Sequence, residues 1–211
     1  MGIPVLILGE SGSGKSTSLR NFEPNEIGIF NVAGKPLPFR KKLNKVDNAT
    51  YQTMYTAWKN PKLKRYVIDD SQYLLGFELF DKAKEKGYGK FTDIALNFRN
   101  LIYYVVKMLP DDVIVYFLHH TELTDDGKVK AKTVGKMLDN QLTVEGLFSI
   151  VLLATAKDNQ FSFITQSDGT TPCKAPMDMF PAQIENDLKM VDETIRDYWE
   201  LTQTKNTEES Q

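Results

Sequence analysis

The chain has 211 residues, a formal net charge of -2 and a single cysteine, Cys173. That length suits one α/β domain with a full core, and the small net charge means any nucleic-acid contact must come from a local basic patch. One thiol excludes an internal disulfide and a cysteine-only metal site, and it fits a reducing cytoplasm.

The opening, MGIPVLILGESGSG, holds an apolar run of about six residues without a basic leader and passes straight into a glycine loop. It reads as a buried strand, not a signal peptide. No other stretch approaches the ~18 apolar residues of a membrane span. Further along, short apolar runs rich in β-branched residues alternate with helical patterns, as in a parallel sheet covered on both faces. Strands are expected near 3–8, 27–32, 65–69, 113–118 and 149–155. Helices are expected near 15–22, 50–59, 72–86, 92–109 and 184–201. Over 92–109, apolar residues recur at three- and four-residue steps until Pro110 stops them. Two hairpins are predicted, one over 121–134 turning at Asp125, Asp126 and Gly127, the other over 160–174 turning at Ser167, Asp168 and Gly169. Residues 1–203 read as one domain, and the polar 204–211 as a frayed tail.

Gly9, Glu10, Ser11, Gly12, Ser13, Gly14, Lys15 and Ser16 match GxxxxGK[ST] at every fixed position, between an expected strand and helix. In such a loop the glycines let backbone N–H groups turn inward onto phosphate oxygens, and the positive end of the next helix adds to the field. With Thr17 these residues form the expected cradle for ATP. Lys15 would reach the β- and γ-phosphates, and Ser16 would ligate Mg²⁺.

Tyr66, Val67 and Ile68 form an apolar strand ending in Asp69, the position of a Walker-B carboxylate that holds the magnesium shell. Asp70 follows directly. It is either the base that polarises the attacking water or, with Ser71, a cap for the helix at Gln72. The strand over 113–118 runs into His119 and His120. His119 is the candidate sensor of the γ-phosphate, and His120 is expected to face outward. Asn44, Lys45, Val46 and Asp47 spell the guanine-reading NKxD, but they precede the Asp69 strand and no DxxG follows Ile68, so they read as a loop.

Taken with IDDSQYLL, VIVYFLHHTE and GKMLDN…VEGLF, the glycine loop resembles the small RecA-like/AAA ATPases that bacteriophages encode near recombination and replication genes. The resemblance runs from Gly9 to about Pro181. It implies a RecA-like P-loop core, mostly parallel, with helices on both faces and added β-hairpins. It also implies Mg-dependent ATP hydrolysis coupled to work on single-stranded DNA, in the host cytoplasm. A homo-oligomer with nucleotide between subunits would follow, as would recombination or single-strand-binding proteins as partners. RecA recombinases carry a catalytic Glu just beyond the second strand. Residues 31–38 hold no acid here, so Asp70 or Glu10 must supply the base, or turnover is slow.

By the same resemblance, Lys128, Lys130, Lys132 and Lys136 fall where a DNA-contacting loop is expected. The first three alternate and would share one strand face, either tracking phosphates or simply solvated. Arginine is scarce. Lys174 and Arg40 are the candidate fingers reaching a neighbouring subunit's site, against the plainer reading of exposed loop cations. Two other functions fit a P-loop in a chain this short: a nucleotide or small-molecule kinase, disfavoured by the scattered arginines, and an ATP-gated adaptor with little hydrolysis.

Overall fold

In the computed structural model, residues 1–135 and 143–201 are described. The apolar runs become strands buried on both faces. β1 (Ile3–Gly9), β2 (Gly28–Asn31), β3 (Lys45–Asp47), β4 (Arg65–Asp69), β5 (Ile114–Leu123) and β7 (Ile150–Lys157) are all parallel, in the order β3-β2-β4-β5-β1-β7. β8 (Gln160–Ile164) and β9 (Gln183–Glu185) extend the β7 edge antiparallel, and β6 (Val129–Ala131) pairs back on the end of β5. The described residues thus form a mixed α/β fold on a largely parallel sheet of nine strands.

Strand alternation divides the core in two. Leu6, Leu8, Ile68, Val115 and Phe117 face α1 (Tyr51–Trp58), α2 (Gln72–Asp81) and α3 (Gly89–Met108). Val5, Ile7, Val67, Tyr116 and Leu118 face a short 3₁₀ helix (Ser16–Asn21) and α4 (Leu188–Tyr198). Helix α3 buries Ile94, Phe98, Leu101, Ile102 and Val105, one stripe at helical spacing, and turns extended at Leu109 just before Pro110. Helix α4 is fastened to the sheet by charge. Asp192, fully buried, accepts from Arg196 Nε, Arg65 Nε and the Tyr116 hydroxyl.

Several expectations need correction. The helix expected over 15–22 is one 3₁₀ segment, so its terminal field is weaker than that of a long α-helix. The NKVD segment is not a loop: Lys45–Asp47 forms the edge strand β3, and the Asn31 side-chain amide donates to Asp47. The 160–174 hairpin does not form, although Ser167–Gly169 does turn. β8 instead folds back on β7 through Asp158 and Asn159, both at positive φ, as a two-residue hairpin turn requires. Helix α4 begins four residues late because β9 takes 183–185, and Asp187 then caps it by accepting from the Lys189 and Met190 amides. α2 ends at Asp81 rather than 86. The 121–134 hairpin is observed, turning through Gly127 at φ 81°. Among the described residues no helix is long and apolar enough to cross a membrane.

Candidate functional site

The glycine loop, Asp69, Asp70 and His120 gather at the carboxyl ends of β1, β4 and β5. The glycine loop leaves β1 with Gly12 at φ 80° and Gly14 at φ 92°, conformations that side chains rarely adopt. A Cβ on Gly9 would collide with Ser13 Oγ, and one on Gly14 would lie 2.7 Å from the Phe161 ring. The loop therefore holds its curl through close packing. Lys15 follows it back, its ammonium donating to the carbonyls of Gly9 and Glu10 at 2.7 Å each. Burial lowers the Lys15 pKa to about 8, although the charges of Asp70 and Asp69 work the other way.

Ser16 Oγ donates to Asp69 Oδ1 at 2.8 Å, which joins the end of the loop to the end of β4. Burial raises the Asp69 carboxyl to about 6, against the opposing Ser16 hydrogen bond. A hydroxyl and a carboxylate this close are two hard oxygen donors of the kind Mg²⁺ takes while keeping waters and substrate phosphates for its other positions. The donor set fits. Among the described residues no group of three or more His, Cys, Asp or Glu could hold a metal unaided, so the remaining ligands would have to come from phosphate and water.

Asp70, next in the chain, is left-handed at φ 61°. Its Oδ2 accepts from Lys35 Nζ at 2.8 Å and its Oδ1 pairs with His120 Nε2 at 3.2 Å. Burial alone would push this carboxyl up, but the His120 and Lys35 contacts outweigh it and hold Asp70 at about 2. Asp70 does not serve as the cap of α2. Ser71 holds the N-cap position, without a side-chain cap hydrogen bond.

The two histidines exchange their expected places. His119 is fully buried, its Nε2 bonded to the Lys132 carbonyl at 2.8 Å and its Nδ1 to Ser71 Oγ at 2.9 Å. Since a carbonyl only accepts, Nε2 carries the proton and Nδ1 accepts. Burial lowers the His119 pKa to about 4. His120 is the one that lines the cavity of about 210 Å³ beside Lys15, Asp69 and Asp70. Strand parity was the signal for this. Tyr116 and Leu118 face the glycine-loop side with Val67 and Ile7, and His120 continues that face opposite Gly9. Lys35, with Pro36 and Pro38, lines the same cavity from the loop after β2. Nothing in the spacing of 31–38 pointed to it. The side chain of Glu10 is exposed.

The other candidates lie elsewhere. Lys128 pairs with Asp126 and Lys130 with Glu122, so the row around β6 is charge-balanced at two of its members, while Lys132 is exposed. Lys136 lies outside the described residues. Lys174 does not protrude: its backbone makes two hydrogen bonds with Val151 at the open flank of β7, and it is half-buried. Arg40 is exposed in the segment between β2 and β3.

No protein-family model matches the chain, and no curated protein does so either.

Proposed function

We propose that this chain is a Mg-dependent ATPase with a RecA-like P-loop core, acting as an oligomer on single-stranded DNA. The observation that carries the reading is the 2.8 Å hydrogen bond from Ser16 to Asp69. It joins a GxxxxGK[ST] loop to a strand-end carboxylate, at the place where a nucleotide's magnesium is held in such proteins. The strand order supports the RecA-like assignment, because β5 stands between the loop strand β1 and the Asp69 strand β4.

In this reading Lys15 leaves the Gly9 and Glu10 carbonyls to neutralise the β- and γ-phosphates, and loop amides orient the chain of phosphates. Ser16 and Asp69 would hold Mg²⁺, which when bound neutralises charge on the phosphate oxygens. Asp70 and His120, bonded directly to each other, line the same cavity and would meet a water placed there. Phosphate release as a function of Mg²⁺ and ATP tests the reading, with Lys15→Ala as the control. Wild-type protein with no affinity for Mg-ATP would end it. The DNA part is separate: single-stranded DNA at low salt is expected to raise turnover, and no effect on rate or oligomeric state would remove that part alone.

One observation favours the ATP-gated adaptor with little hydrolysis. Asp70, the nearest candidate base, is engaged by Lys35 and His120 and held near pKa 2, which makes it a weak proton acceptor. Single-turnover kinetics separates the two: an adaptor binds ATP tightly and leaves it intact over many minutes. The kinase reading gains nothing, since Arg20, Arg65 and Arg196 are each tied to partners within the fold.

A further inference from the structure

Thr17 lines two cavities at once. One holds the Lys15, Asp69 and Asp70 groups. The other, of about 840 Å³, lies between Arg20, the β7–β8 hairpin and β9. We infer that this second cavity receives the base and ribose of the nucleotide, with Phe161 as the face on which the base stacks. The inference rests on the nucleotide reading above and deepens it.

Polarity sets the direction. Lys15 and the Ser16–Asp69 pair mark where the β- and γ-phosphates and metal go. A triphosphate seated that way must leave the loop by its other end, and Thr17 is the residue shared with the next cavity. The lining changes in character there. Here the charged groups, among them the Arg20–Glu185 pair, are joined by Gln160, Ser162 and Gln183, which present amides and a hydroxyl, with Gln183 Nε2 donating to Ser162 Oγ at 2.8 Å. Such neutral donors and acceptors suit the edge of a base or the hydroxyls of a ribose. Lys157 and Asp158, at the hairpin turn, complete the wall.

Phe161 is the aromatic element. It remains 41% exposed, yet its ring packs against Gly14, where any side chain would strike it. An apolar ring packed beside a phosphate loop and open to a cavity offers a base a stacking partner.

Asn186 lies just behind the loop, lining neither cavity. It is 1% exposed, and neither Oδ1 nor Nδ2 has a hydrogen-bond partner in the protein. Its Nδ2 lies 3.2 Å from the Cβ position of the same Gly14, and its carbonyl is gripped by Arg20 Nη1 at 2.5 Å. Buried amides are rarely left unpaired, so this one is a conspicuous polar group beside the loop.

The test compares Mg-ATP with Mg-tripolyphosphate, which has the same phosphates and no nucleoside, by calorimetry. For Phe161→Ala we expect ATP affinity to fall about ten- to a hundredfold, the loss of one stacked base, with tripolyphosphate changed less than about twofold. Phe161→Leu keeps apolar packing against Gly14 without the aromatic face, and should show the same selective loss to a smaller degree. Equal losses for both ligands would mean that Phe161 only supports the loop, and no loss for either would mean that the base lies elsewhere. Each of these outcomes overturns the subsite and leaves the ATPase reading standing. Wild-type protein that binds neither ligand overturns both.

Discussion

Lys35 reaches across from the loop after β2 and donates its ammonium to Asp70 Oδ2 at 2.8 Å. The contact raises the Lys35 pKa, and it joins two segments that are 35 residues apart and share the cavity beside the glycine loop. A γ-phosphate arriving there would compete with Asp70 for the same cation. Lys35→Ala should therefore weaken Mg-ATP binding by about three- to tenfold, a modest figure because the side chain is more than half exposed. Mg-ADP should change much less. Calorimetry with the two nucleotides checks this, and equal losses would mean that Lys35 acts only through the shape of its loop.

Asp69 is a buried carboxylate whose pKa rises to about 6, chiefly from burial. Its folded value stands above the unfolded one, so its favourable contribution exists below about pH 4 and is lost as pH rises through 6. At pH 8 the charged group costs stability. Asp69→Asn removes that charge and keeps an oxygen for Ser16 to bond. It should stabilise the fold at pH 8 by about 1–3 kcal/mol in urea denaturation while removing Mg-dependent turnover. A destabilised Asn variant would show that the carboxylate is structurally required.

His119 works in the opposite sense. Burial holds its pKa at about 4, below the ordinary 6.5, so the unfolded chain binds the extra proton first. Stability from this group is complete above 6.5 and drains away as pH falls towards 4. Between pH 7 and 4.5 the loss should be about 2 kcal/mol. In His119→Gln, which does not titrate, the fall measured by urea denaturation over that range should be smaller by this amount. Identical acid limbs would sink the prediction.

Asp192 is the anchor of α4. Asp192→Ala would leave the Arg65 and Arg196 guanidinium groups and the Tyr116 hydroxyl facing a vacated buried position. The expected cost is about 3–5 kcal/mol, read from the urea midpoint. Asp192→Asn retains the hydrogen bonds in part and should fall between. A loss below about 1 kcal/mol would show that the two arginines find other partners without cost.

The central strands were legible because a strand buried on both faces writes itself as an unbroken apolar run, as in 3–8 and 113–118. Edges were harder. Lys45–Asp47 forms a strand of three residues with an exposed Val46, and its partner Asn31 is distant in the chain, so no local pattern announces it. The Asp158–Asn159 turn lacks the glycine that usually marks such hairpins. In the site, Lys15 and Ser16 follow from fixed spacing and Asp69 from its place at a strand end, while the choice of His119 over His120 missed the alternation of strand faces that puts His120 at the cavity. Lys35 and Phe161 come from a loop and an edge strand that approach the glycine loop only through the tertiary fold.

β5 is a single unbroken strand from Ile114 to Leu123, and it carries two attachments in line. His120 touches Asp70 beside the cavity, and the very next residues pair with β6 in the hairpin. β1 and β4 pair with the inner part of this strand, so the hairpin and the Asp70 contact hang from one continuous backbone. A partner that held the outer tip in a different position would shift what the inner groups can hold, and by thermodynamic reciprocity a ligand on the inner groups would then change the affinity of the tip for that partner.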